Sequence, residues 1–180
     1  MNSVEAIRIL HALSFEGKNV YTVGDIGVAV QERGNTLRST IKRLSKERVL
    51  ESVARGIYFF TLGVSNARNT LLDIASLMRP GEYTYESFES AGSEWGLISQ
   101  APVDLVTCAT TGSTGEVGTS FGRIEYTHVE LAPEDWESMT SRRDGYTNLR
   151  IASKALTARD LVDNRRSLDL IDWEEMDYED

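Results

Sequence analysis

Apolar positions along this chain repeat first at helical spacing and then at the spacing of strands. Val4, Ile7, Leu10 and Leu13 predict a helix over 3–15, with Ser3 as its cap and Gly17 closing it. A second, weaker helix is predicted over 22–31. Its apolar positions are Val23, Ile26, Val28, Ala29 and Val30, Thr22 caps it, and Asp25 sits in the first turn, where the helix dipole favours an acid. Gly24 and Gly27 weaken it, since an interior glycine costs about 1 kcal/mol against alanine. After a break at Gly34, Asn35 or Thr36 opens a third helix that runs to Lys46. Residues 49–53 and 57–62 then read as two strands rich in β-branched and aromatic side chains, turning at Arg55-Gly56.

Three helices followed by a two-stranded ribbon is the order of a winged helix-turn-helix. The sequence TLLDIASLM predicts a connecting helix capped by Asn69 and ended by Pro80-Gly81. Beyond residue 81 the pattern changes. A short helix over 86–95 presents Phe88, Ala91 and Trp95, a buried strand follows over 103–109, and an alternating strand over 123–129. The glycine-rich stretch TTGSTGEVGTSFG joins those strands, and a helix capped by Ser153 follows over 153–162. The expected fold is therefore α+β: a winged helix-turn-helix over 1–62, a connecting helix over 63–80, a small mixed α/β domain over 81–171, and an acidic tail over 172–180. No internal repeat is present.

Charge sharpens that division. The 180 residues carry a net charge of −9, but residues 1–62 hold nine Lys or Arg against six Asp or Glu, a balance of +3. Between Arg33 and Arg55 there are seven basic residues and only Glu47 and Glu51 oppose them. The last nine residues hold six acids and no base. Such asymmetry points to a nucleic-acid-binding part joined to something else, because recognition depends on the local field of one surface. Hydrophobic residues at 41% and charged residues at 26% are ordinary globular usage. No apolar run reaches the roughly 18 residues of a membrane span, and a lone cysteine, Cys108, permits no internal disulfide. The expectation is a cytoplasmic protein that engages no membrane.

The third helix concentrates the candidate chemistry. On a wheel of about 100° per residue, Leu37, Ile41 and Leu44 fall within about 60° of one another and must face a core. Asn35, Ser39, Lys42, Arg43 and Lys46 fall opposite, with Arg38 on the flank. An apolar face that holds the helix while donors reach base edges and phosphates is what a recognition helix requires. Arg55, on the tip of the predicted wing, would touch backbone or minor groove.

Catalytic patterns are poorer. GSTGEVGT at 112–119 lacks the Lys of a phosphate-binding loop and joins strands, which makes it a hairpin. No nucleophile elbow accompanies the Ser, His and Asp residues, and His11 and His128 lie far apart from each other. Cys108 lies in an apolar strand as a buried thiol. Asp104 with Glu116 or Glu125 imitates a metal-nuclease carboxylate set, but no Lys accompanies them at useful spacing. The reading is a non-enzyme with no cofactor and no metal. The acidic tail, with Trp173, Met176 and Tyr178 among its acids, is either a solubilising end or a contact for a basic partner.

TVGDIGVAV, TLRSTIKRLSKERVL and ARGIYFF together resemble the N-terminal winged helix of AbiEi-type antitoxins from bacterial type IV toxin–antitoxin systems. YTYESFESAGSEWGLISQAPVDLVTCAT, FGRIEYTHV and RIASKALTARDLV are similar to later segments of that family, so the resemblance spans about residues 5–165. It departs at Lys154-Ala155-Leu156-Thr157, where the family's Pro-containing turn is expected. The resemblance implies an antitoxin that represses its own operon by binding repeats in promoter DNA, as monomer or dimer. It implies as partner a nucleotidyltransferase-like toxin, counteracted by the C-terminal domain without a stable complex. By position it carries DNA contact to Ser39, Lys42, Arg43 and Lys46 and to Arg55. The alternative is a ligand-responsive winged-helix transcription regulator with no toxin partner.

Overall fold

The computed structural model describes residues 1–99, 103–143 and 147–174. Among them are seven helices and two sheets, a mixed α/β architecture. The first part runs α1 (Ser3–Phe15), β1 (Val20–Thr22), α2 (Val23–Ala29), α3 (Gly34–Lys46), β2 (Leu50–Ala54) and β3 (Ile57–Phe60). Thr22 caps α2 as expected, and Asp25, expected there only for the helix dipole, also accepts from the Thr22 N–H to complete a reciprocal cap. The cap of α1 is Asn2, whose side chain accepts from the Glu5 N–H, so Ser3 lies inside the helix. The predicted ribbon is a three-stranded antiparallel sheet, β1-β3-β2, in which β1 pairs with the far edge of β3.

Gly27, a poor helix former, is required by packing. A Cβ there would lie 2.9 Å from a Leu37 methyl and 3.0 Å from the Glu32 carbonyl oxygen. Its bareness lets α2 and α3 approach closely.

The second part contains α4 (Ala67–Leu77), β4 (Thr84–Glu86), α5 (Phe88–Glu94), β5 (Leu105–Thr110), β6 (Gly115–Thr119), β7 (Gly122–His128), α6 (Pro133–Met139), β8 (Thr140–Arg142), β9 (Arg150–Ala152) and α7 (Lys154–Asp163). Asn66, one turn before the expected Asn69, caps α4 by accepting from the Asn69 N–H. The strands form one sheet, β6-β7-β5-β4-β9-β8, with β7 parallel to β5 and β9 parallel to β4. The glycine-rich stretch read as a joining loop contains β6, an edge strand antiparallel to β7. Of the acidic tail, only Asp172, Trp173 and Glu174 are among the described residues; 175–180, with Met176 and Tyr178, lie outside them.

Three cores hold these layers. One, built on Leu10, Tyr21, Ile26, Ile41, Leu44 and Phe60, lies between α1–α3 and the inner face of the small sheet. A second, with Tyr85, Phe88, Ala109, Leu156 and Leu161, lies under α5 and α7. The third crosses the predicted boundary at residue 62: Val20, Val53 and Ile57 of the small sheet pack with Leu71, Leu72, Ile74 and Ala75 of α4 and with Val106, Ile124 and Tyr126 of the second sheet. Helix α4 is thus wedged between the two sheets, and the Tyr126 hydroxyl donates to the Ala75 carbonyl at 2.9 Å.

Asp73, on α4, sits in this seam. Burial pushes its carboxyl up from 3.8 to about 6, against the Thr147 and Asn148 hydrogen bonds and the Lys18 charge, which act the other way. The folded chain therefore binds this proton more tightly than the unfolded chain does. Its share of stability is largest below about pH 4 and is lost as pH rises through about 6. Asp73→Asn is expected to abolish that dependence and to stabilise the protein by about 3 kcal/mol at about pH 7. Thermal melts of both proteins across this range check it. An Asn variant with the wild-type pH dependence would refute the assignment.

Candidate nucleic-acid interface

α3 has a core side and an open side, as its sequence pattern predicts. Leu37, Thr40, Ile41 and Leu44 are buried. Asn35, Arg38, Ser39, Lys42 and Lys46 are exposed, and none of their side chains makes a hydrogen bond or ion pair among the described residues. Arg33 and Thr36 are exposed at the start of the same helix and extend its polar surface. Sequence reasoning passed over these two, although Thr36 lies only one step outside the polar arc of the wheel.

Arg43 is placed differently from the other candidates. Its guanidinium donates to the Ser3 hydroxyl at 2.9 Å and to the Met1 carbonyl at 2.7 Å. Ser3 in turn donates to Glu47 at 3.0 Å. Arg43 thereby ties the last turns of α3 to the start of α1, a link across 40 residues that the wheel alone does not reveal.

Arg55 is exposed in the two-residue turn between Ala54 and Ile57, which pair across the hairpin. Gly56 supplies the left-handed conformation of that turn at φ +75°. Its carbonyl accepts from the Val23 N–H at 3.2 Å, so the hairpin tip is pinned to the start of α2.

The arrangement presents guanidinium, ammonium, amide and hydroxyl donors from one rigid helix, with a further cation on a neighbouring hairpin. Charged donors of this kind bind phosphate, and bidentate side chains read base edges in a groove wide enough for a helix. Between Arg33 and Arg55 only Glu47 and Glu51 oppose seven basic residues.

Of the carboxylates that imitate a metal-nuclease set, Asp104 is exposed and its side chain has no partner among the described residues, whereas the other two are held in ion pairs. Glu116 and Glu125 are opposite each other across β6 and β7, but Glu116 pairs with Arg123 and Glu125 with Arg166. Burial pushes the fully enclosed Cys108 thiol well above its ordinary range. Asp160, also raised by burial, accepts from Tyr85 at 3.0 Å and Ser87 at 2.7 Å beside the core under α5 and α7. His128 meets the Gly112 carbonyl through Nδ1 at 2.8 Å. Among the described residues no group of three or more His, Cys, Asp or Glu is placed to hold a metal ion, and no helix is long and apolar enough to cross a membrane.

No family model and no curated protein matches this chain. In three dimensions it is similar to the RV2827C protein from Mycobacterium tuberculosis, with a TM-score of 0.59 at 14% identity over 88% of this chain. The chain spans 60% of that protein's length. At this identity the likeness shows the fold alone.

Proposed function

We propose that this protein is a DNA-binding repressor that reads its own promoter through α3, with α1–α3 and β1–β3 acting as a winged helix and hairpin β2–β3 as the wing. The observation that carries this reading is the open face of α3: Asn35, Arg38, Ser39, Lys42 and Lys46 stand unpaired on a helix held from behind by Leu37, Ile41 and Leu44. Arg55 adds a backbone contact from the wing, and Arg43 orients the helix. The excess of acid in the second part keeps that part off the phosphates, so one surface binds. Its resemblance to AbiEi-type antitoxins extends the proposal: the second part counteracts a nucleotidyltransferase-like toxin, and the promoter carries inverted repeats bound by one protomer each.

Band shifts with the protein's own upstream DNA and with a scrambled duplex, over a range of salt, test the DNA reading. Specific binding is expected, and Lys42→Ala is expected to weaken it and to lower the salt slope by about one. Equal binding to both duplexes, or a Lys42→Ala protein with wild-type affinity and slope, would remove α3 from the interface. Co-expression with a nucleotidyltransferase-like toxin tests the antitoxin role separately: growth should be restored, and continued arrest would remove that role.

One feature favours a ligand-responsive regulator instead. A polar cleft of about 400 Å³ opens beside the seam, lined by Lys18, Asp73, Ser76, Arg143, Thr147 and Asn148. A small molecule that changes operator affinity, with no toxin rescued, would decide for it.

A further inference from the structure

The hairpin that carries Arg55 has two faces, and both are covered. Along β3, Tyr58 and Phe60 face the core of α1–α3, whereas Ile57 and Phe59 face α4 and the second sheet. β1 and the Gly56–Val23 hydrogen bond hold the hairpin from the side of α1–α3, and its other face takes a support from the second sheet. Here the turn between β6 and β7 reaches across to it. The Phe121 ring meets Phe59 edge-on, with centroids 4.8 Å apart and planes at 68°. Ser120 donates to the Glu51 carboxylate at 2.7 Å. Glu51 and Phe59 are cross-strand partners, so both contacts land on one rung of the hairpin.

The reaching turn is itself rigid. The Thr119 hydroxyl accepts from the Phe121 N–H at 3.1 Å and donates to the Gly122 carbonyl at 2.9 Å. Gly122 has φ +136°, and a Cβ there would lie 2.4 Å from the Asp104 carbonyl oxygen. The Arg123 N–H donates to that same oxygen at 2.7 Å, which locks the turn onto the start of β5. A fixed point of the second sheet therefore bears on the base of the wing.

We propose that Phe121 is a positioning residue for DNA binding: through Phe59 it fixes the direction in which hairpin β2–β3 presents Arg55. The acidic second part thereby sets operator affinity without touching DNA. This rests on the recognition role assigned to α3 and Arg55. It also gives the C-terminal part a route to the operator, since anything that shifts the β6–β7 turn shifts the wing.

Full-length Phe121→Ala, Phe121→Leu, Arg55→Ala, the Phe121→Ala/Arg55→Ala double variant and Lys42→Ala are titrated on upstream DNA over a range of salt. Phe121→Ala is expected to lose roughly tenfold in affinity at about 0.1 M salt and about one in salt slope, which is what one phosphate contact carries. Arg55→Ala should lose the same, and the double variant no more than either, because both changes remove one contact. Phe121→Leu keeps an apolar partner for Phe59 and should bind as wild type. An unchanged slope in Phe121→Ala, or full additivity with Arg55→Ala, overturns the positioning role. If Lys42→Ala weakens binding while Phe121→Ala does not, the positioning fails alone; if Lys42→Ala binds as wild type, the recognition role fails beneath it. Should Phe121→Ala not melt cooperatively, Ser120→Ala takes its place. That exposed change removes the Glu51 contact, with an expected loss of roughly threefold, and wild-type binding by it overturns the proposal.

Discussion

Glu86→Gln is expected to destabilise this protein by about 3 kcal/mol. Glu86 ends β4 with its side chain fully buried. One carboxylate oxygen accepts from Arg68 of α4 at 2.6 Å and the other from Arg143 at 2.5 Å. The two guanidinium groups are about one-quarter exposed, and Glu94 of α5 lies 3.5 Å from each. Gln keeps the shape and removes the charge, leaving two partly buried cations to share Glu94. Taking one partner from a buried ion network costs about 3–5 kcal/mol, and Glu94 offsets part of this. Urea denaturation should show the midpoint falling by about 1.5 M at an unchanged slope near 2 kcal/mol per M. A shift below about 0.5 M would mean that the network contributes little.

Phe60→Ala should cost about 3–5 kcal/mol, since it empties the centre of the core under α1–α3. The more informative result lies in where the loss is seen. Trp95, Trp136 and Trp173 all belong to the second part, far along the chain from Phe60. Because the seam core runs unbroken from Val20 and Ile57 through α4 to Val106 and Tyr126, the two parts should unfold together. Tryptophan fluorescence and far-ultraviolet circular dichroism should therefore report the same lowered midpoint. A tryptophan transition that stays at its wild-type position would show two independently folding units, and hairpin β2–β3 would then lack a stable support.

The open face of α3 was legible because its information is local. Thirteen consecutive residues suffice to separate Leu37, Ile41 and Leu44 from Ser39, Lys42 and Lys46, and a helix turns that period into two faces. Arg43 lies on the polar arc by the same count, yet its direction is set by Ser3 and Met1, which no helical period can encode. Strands β1, β4, β8 and β9 have three residues each. Three residues cannot display an alternation, so these strands exist only through their partners. The run Ile57-Tyr58-Phe59-Phe60 did carry a signal beyond a strand: apolar residues on both faces require two coverings. Only one covering, the helices before it, was apparent from the chain order.

By itself, the sequence determined the helices with strong period, the capping of α2 by Thr22, the basic face of α3 and the division of charge between the two parts. Each is settled within the span of one element or by simple count. The tertiary structure alone decided the wedging of α4 between two sheets, the burial of Glu86 between arginines 18 and 57 residues away, and the seating of Phe121 on Phe59. These depend on which apolar faces find each other when water is expelled. That choice is made by the whole chain, and no local stretch contains it.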